Sequence, residues 1–304
     1  LGAAMMMDID EESPQARLLR ACEQADIPAV EGLLRSGAPL TAADAEGMSP
    51  LLVACSVGSL DLARLLLDAS APVDAVDSAG RGAALLAAES GRVDLLQWLL
   101  EQGHATLAEC AEDGSTPLLC AASGGGAEMV RWLLRGPPGA LAAPSLEERD
   151  ERGADAALAA AEAGAVDVLQ VLLRHGASPA TVDDHGCGLL HYAAAGGHTA
   201  VAEFCTASLG MGCGVRDSDG DTPLLIAAHE GQVAMVQWLL AHGSSLDERN
   251  SDGISATLAA AAGGRDEVLA LLGKRSEDGA QWLEDVSRHP GLVLNFLEQG
   301  LGQG

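Results

Sequence analysis

The chain repeats itself. One glycine recurs in a common setting: Gly47 in AEGMSPLLVAC, Gly80 in SAGRGAALLAA, Gly114 in EDGSTPLLCAA, Gly153 in ERGADAALAAA, Gly186 in DHGCGLLHYAA, Gly220 in SDGDTPLLIAA and Gly253 in SDGISATLAAA. Successive spacings are 33, 34, 39, 33, 34 and 33 residues. The period runs through more than two-thirds of the 304 residues. It implies stacked supersecondary units, each unable to bury its apolar face alone. Length alone allows about two ordinary domains of roughly 150 residues; the period replaces them with one linear array.

Each unit reads the same way. A polar or acidic pair before the glycine marks a tight turn. A hydroxyl followed by proline then opens a helix at Ser49-Pro50, Thr116-Pro117 and Thr222-Pro223, with the hydroxyl at the N-cap and the ring in the first turn. A short Leu/Ala helix follows and ends near a second glycine, such as Gly58, Gly91, Gly164, Gly197 or Gly231. A second helix carries paired leucines, as in VDLLQWLL and VDVLQVLL, and stops at His175-Gly176 or His242-Gly243. Apolar residues are 48% of the chain but aromatics only 2%, so the core is built from Ala, Leu and Val.

These residues resemble the ankyrin repeat, whose pattern D-x-x-G-x-T-P-L-H-x-A-A-x-x-G-H is visible almost intact in DSDGDTPLLIAAHEGQ (217–232). The resemblance implies an all-α solenoid of helix-turn-helix units with short hairpin-like turns, about seven to nine repeats including caps. It covers roughly residues 14–275, and ARLLRACEQADIPAVEGLLRSGAPL (16–40) fits as a polar-faced opening unit. The expected organisation is a disordered segment 1–12, repeats over 13–136, a Pro/Gly-rich inserted loop 137–145, repeats over 146–275, and a degenerate capping repeat and tail over 276–304. The family's Thr-Pro-Leu-His is complete nowhere. Its His position holds Leu52, Leu85, Leu119, Leu158, Leu225 and Leu258, and His191 alone keeps it. The third, fifth and eighth units lack the Thr-Pro pair, which predicts helix starts looser by about 0.5–2 kcal/mol each.

Charge narrows the functional classes. There are 44 Asp and Glu against 17 Lys and Arg, a formal net charge of −27, which disfavours a phosphate backbone as ligand. No segment approaches 18 uninterrupted apolar residues, so membrane insertion is not expected. The opening LGAAMMMDID lacks the basic flank and apolar centre of a secretory signal, and a start on Leu1 is compatible with a fragment of a longer protein. Seven cysteines without a close CxxC pair point to reduced thiols in the cytoplasm or the nucleus.

Candidate chemistry is sparse. His185, Cys187 and His191 form the one His/Cys cluster, but no fourth metal ligand is evident, and the resemblance makes His191 a structural residue bracing the neighbouring turn. Cys55 and Cys120 read as buried small hydrophobes. Trp98, Trp132 and Trp238 each stand 18 residues after their unit's glycine, in a slot that elsewhere holds Leu65, Val171, Phe204 and Leu271; sharing with aliphatics predicts a core position. No nucleophile elbow, Walker loop, HExxH or dinucleotide fingerprint occurs. The expectation is no enzyme, no cofactor and no metal.

By resemblance, partner-facing positions are the residues flanking each turn glycine and the end of each first helix. Here they are Glu46, Arg81, Glu89, Glu112, Asp113, Glu151, Arg152, Glu162, Asp184, His185, Asp219, Asp221, His229, Glu230 and Asp252. Eleven acids against two arginines and two histidines predict an acidic concave groove for a protein partner, a basic segment being favoured. The competing reading is that acidic tips keep an Ala/Leu solenoid soluble. Asp44, Asp77, Asp150, Asp183 and Asp217, three before the glycine, have a separate role implied by the resemblance, hydrogen bonding within the turn. The expected function is a non-enzymatic interaction scaffold or adaptor. The alternatives are a fixed subunit of a larger complex and the regulatory region of a longer enzyme or channel.

Overall fold

The computed structural model of the chain describes residues 13–41, 43–136 and 144–275. The segment 1–12, most of the inserted loop 137–145, and the C-terminal cap and tail 276–304 lie outside the described residues. Among the described residues there are sixteen α-helices and one isolated antiparallel bridge, Val182 with Gly188.

The opening pair is α1 (Pro14–Glu23) and α2 (Ile27–Arg35). It is followed by α3 (Pro50–Ser56), α4 (Leu60–Asp68), α5 (Ala83–Glu89), α6 (Val93–Glu101), α7 (Pro117–Ser123) and α8 (Ala127–Leu134). After the inserted loop come α9 (Ala156–Glu162), α10 (Val166–Arg174), α11 (Leu189–Gly196), α12 (Thr199–Leu209), α13 (Pro223–Glu230), α14 (Val233–Ala241), α15 (Ala256–Ala262) and α16 (Asp266–Arg275). The described residues divide into two compact units, 13–121 with 135–136 and 122–134 with 144–275. The first holds α1–α6 and most of α7; the second holds α8–α16.

None of these helices is long enough to persist alone in water; stacking makes them stable. First helices are buried almost all round: in α5, Ala83 through Ala88 are all buried, and alanines there let neighbouring axes approach. In the second unit α9, α11, α13 and α15 pack in succession, as α1, α3 and α5 do in the first. Second helices bury one stripe at i, i+1 and i+4: Leu95, Leu96 and Leu99 in α6, Met235, Val236 and Leu239 in α14. Each such leucine contributes about 1.5–3 kcal/mol of burial.

Two expectations need correction. Helix starts without Thr-Pro are not loose. Asp155 accepts the Ala157 and Leu158 N–H groups at 3.0 and 3.1 Å, and Ser255 accepts the Leu258 N–H at 3.3 Å. Asp and Ser are N-caps as good as Thr, and proline adds preorganisation rather than a bond. Gly82 has no side chain to offer, but the carboxylate of Glu109 in the following hairpin bonds the Ala84 N–H.

The tryptophan slot is not core. Trp98, Trp132 and Trp238 are half-buried, as are Leu65, Phe204 and Leu271, and only Val171 is buried. The slot lies beside the buried stripe, so a large ring keeps one face open, and at Trp98 and Trp238 that face takes a cation or an imidazole. The Arg64 guanidinium stands 5.4 Å from the Trp98 ring centroid, and His242 stacks on Trp238 at 4.0 Å and 17°.

Candidate functional site

The turn tips begin with a side chain three residues before the glycine. The Oδ1 of Asp77 accepts the Ala79 and Arg81 N–H groups at 2.9 and 2.8 Å. Asp44, Asp150, Asp183 and Asp217 repeat the arrangement, and Asn250 does so with its amide oxygen. The Gly114 unit has Ala111 in this place, and Asp113 bonds the Ser115 N–H at 2.9 Å instead. The loop closes on a glycine in the left-handed region, φ 78° at Gly153. A Cβ there would also stand 2.5 Å from Asp184 Oδ1 and 3.0 Å from the Asp184 nitrogen, so the position admits glycine alone.

Neighbouring tips are tied by backbone rungs. In the first unit the Ser78 N–H donates to the Glu46 carbonyl at 2.8 Å, and the Glu112 N–H to Ala79 at 2.9 Å. In the second, Asp184 donates to Arg152 at 3.0 Å, Ser218 to His185 at 2.8 Å, and Ser251 to Asp219 at 2.9 Å. Each rung joins the residue two before one glycine to the residue one before the preceding glycine. Tip side chains are therefore presented as ordered rows, one row in each unit.

The candidate partner-facing residues fall into two sets. One is already engaged. Arg81 pairs with Asp77 at 2.8 Å and Glu89 at 2.9 Å. Arg152 pairs with Asp150 at 3.3 Å and Glu162 at 3.5 Å. Glu230 meets His229 at 2.9 Å and Arg265 at 3.8 Å; Arg265 escaped sequence reasoning because it lies in the next repeat, 35 positions from Glu230. Asp221 accepts the Asn250 amide at 2.8 Å and is half-buried; desolvation raises its pKa against that bond. The other set is exposed and has no side-chain partner among the described residues: Glu46 and Glu112 in the first unit, Glu151, Asp184, Asp219 and Asp252 in the second. His185 is exposed in the second row.

The His/Cys cluster resolves into separate tasks. His191 is 3% exposed. Its Nδ1 accepts the Gly188 N–H at 3.0 Å, which leaves Nε2–H to donate to the Asp221 carbonyl at 3.3 Å. The ring thus braces the next turn, and burial lowers its pKa. The Cys187 thiol contacts Asp217 Oδ2 at 3.5 Å. Cys55 and Cys120 are buried, their thiols pushed up to about 12 by desolvation, and none of the seven cysteines is in a disulfide. Among the described residues no group of three or more His, Cys, Asp or Glu is arranged to hold a metal, and no helix is long and apolar enough to cross a membrane.

Family comparison matches the model described as "Ankyrin repeats (3 copies)" over residues 18–108 and 190–281. "Ankyrin repeats (many copies)" matches over 84–134 and 157–204. Among curated proteins the chain is similar to ankyrin repeat domain-containing protein 63 of Homo sapiens and of Mus musculus, 36% identical over 142 residues in each case. That alignment covers 44% of this chain and 36% and 35% of the human and mouse proteins, so the chain spans about a third of the length of these relatives. Helix pairs, turn glycines, braced tips and matched family models agree, and the chain belongs to the ankyrin-repeat family, whose repeats serve generally as protein–protein interaction modules.

Proposed function

We propose that the chain is a non-catalytic scaffold or adaptor that receives a basic segment of a protein partner along its rows of turn tips. The observation that carries this reading is the uncompensated acid on successive tips. Glu151, Asp184, Asp219 and Asp252 stand one per repeat in the second unit without a cation, while the tip arginine Arg152 is consumed internally. An extended chain with arginines or lysines at matching intervals meets such a row with little reorganisation, because the backbone rungs have already ordered it. Charge of this kind speeds encounter and makes binding salt-dependent. Seven cysteines with no close CxxC pair support a reducing compartment, cytoplasm or nucleus.

The test compares two charge-matched variants as bait for partners from a cell extract. One neutralises the tips (Glu151→Gln, Asp184→Asn, Asp219→Asn, Asp252→Asn). The other neutralises exposed acids on second helices (Asp68→Asn, Glu203→Gln, Glu267→Gln) and at the start of α4 (Asp61→Asn). Loss of partners with the tip variant, retention with the other, and release by salt fit the proposal. Capture unaffected by tip neutralisation and by salt overturns it. Partners that co-purify stoichiometrically and survive high salt identify a fixed subunit instead.

A further inference from the structure

Two repeat junctions in the second unit share an arginine strap and an acid–hydroxyl bond, with acid and hydroxyl on opposite sides. At the first, Arg149 Nη1 donates to the Gly153 carbonyl of its own turn and, at 2.8 Å, to the Val182 carbonyl of the next repeat. At the second, Arg216 Nη1 donates to the Gly220 carbonyl and, at 2.7 Å, to the Arg249 carbonyl. Both arginines stand four before their glycine, and both reach 33 residues ahead. Beside each arginine lies one side-chain bond between the helix start of one repeat and the hairpin of the next, 26 positions later in both cases. At the first junction the Thr181 hydroxyl donates to the Asp155 carboxylate, and Arg149 Nη2 joins the pair, donating to the Thr181 hydroxyl at 3.3 Å and facing Asp155 at 3.8 Å. At the second the Thr222 hydroxyl donates to the Glu248 carboxylate. Acid and hydroxyl have traded places.

The burial makes the trade informative. Asp155 is 6% exposed, Thr181 6% and Thr222 0%. Glu248 is half-buried. Two hydroxyls at the first junction would leave one O–H without its carboxylate acceptor and Arg149 without its counter-charge; two carboxylates would set two negative charges against the single Arg149 guanidinium, largely out of water. The intervening junction has Gly188 and Val215 at the corresponding positions, with Val182 at the arginine position, and it is joined by His191 to the Asp221 carbonyl. A repeat's helix start is therefore matched to the hairpin that follows it, and the matches are not interchangeable.

We propose that the Asp155–Thr181 and Thr222–Glu248 pairs are a junction key: one carboxylate and one hydroxyl, in either order, that seats each helix start on the hairpin following it and holds the tip rows in register. The key is separate from partner binding, since its members lie under the tips rather than on them.

The test exchanges the pair at the first junction in the full chain. Asp155→Thr leaves two hydroxyls; Thr181→Glu leaves two carboxylates; the double variant recreates the arrangement seen at the second junction. Two quantities are read: the thermal midpoint, and amide exchange at Asp184, whose N–H forms the rung to Arg152. Each single variant is expected to lower the midpoint by about 3 °C or more and to speed Asp184 exchange about tenfold. The double variant is expected to recover most of both. Additive losses in the double variant, or singles indistinguishable from wild type, overturn the key. If Thr181→Glu does not fold, Thr181→Ser and Thr181→Val decide: serine is expected to keep the midpoint and valine to lose it, and equal behaviour of the two overturns the proposal.

Discussion

The Glu109 carboxylate occupies the place that a side chain on Gly82 would take: its Oε2 is 2.9 Å from an ideal Cβ on that glycine. The other oxygen accepts the Thr106 N–H at 2.8 Å, and the carboxylate also bonds the Ala84 N–H in the first turn of α5. One repeat caps the helix of the repeat before it. Glu109→Ala is expected to destabilise the first unit by about 1–2 kcal/mol, read as a lower urea midpoint and faster amide exchange at Ala84. Gly82→Ser is expected to harm the wild type by displacing Glu109, and to restore stability in the Glu109→Ala background. Rescue by the same serine in both backgrounds rules out the transferred cap.

Glu109 also gives a pH signature. Desolvation raises its pKa, so the folded state holds that proton more tightly than the unfolded chain. Stability then falls as pH rises from the unfolded value, about 4.3, through the raised folded one. Glu109→Gln keeps an acceptor and removes the titration, so its urea midpoint is expected to lack this decline.

His191 titrates in the opposite sense. Burial lowers its pKa, and protonation places a proton on Nδ1, where the Gly188 N–H already donates. Its contribution is present above the unfolded value of about 6.5 and is lost as pH falls toward the lowered folded pKa. His191→Leu installs the residue that six other units carry at this slot. Its urea midpoint between pH 8 and 5.5 is expected to be flatter than that of the wild type, with the Asp221 turn less protected from exchange. An equally steep profile in the leucine variant assigns the dependence to other groups.

The architecture was legible because the period is carried by backbone requirements: a left-handed glycine and a bracing Asp or Asn must recur wherever the turn recurs. The candidate surface was legible only as positions. Which acids are spent could not be read, because Arg81 with Glu89 and Arg152 with Glu162 pair only once a turn is folded over a helix end. Nor could Glu109 be recognised as a cap, since it lies 27 residues from the glycine it serves. The tryptophan slot misled because aliphatic occupants suggested depth, whereas the position borders the buried stripe.

The open ring faces have measurable partners. His242 lies 4.0 Å above Trp238, and its Nδ1 contacts the Trp238 carbonyl at 2.8 Å, which fixes the imidazole over the indole. His242→Ala is expected to cost about 0.5–1.5 kcal/mol and to shift Trp238 emission to longer wavelength as water reaches the face. Arg64→Ala is expected to do the same at Trp98 for about 0.5–1 kcal/mol. Single-tryptophan variants separate the two signals, and unchanged emission in both argues that these faces are covered by something else.

The unpaired tip acids leave a mark on stability even without a partner. Backbone rungs hold Asp184 and its neighbours in rows that cannot spread, so like charges repel within a fixed geometry. Salt screens exposed charges over about 8 Å at physiological ionic strength, and the thermal midpoint of the wild type is expected to rise by a few degrees between low and high salt. Neutralising Glu151, Asp184, Asp219 and Asp252 together is expected to raise the low-salt midpoint and flatten that rise. Neutralising Asp61, Asp68, Glu203 and Glu267 changes the net charge equally but relieves no row, and should do less. If both sets behave alike, the acidity acts through net charge, which is the solubility reading, and the tips lose their claim as a preorganised surface.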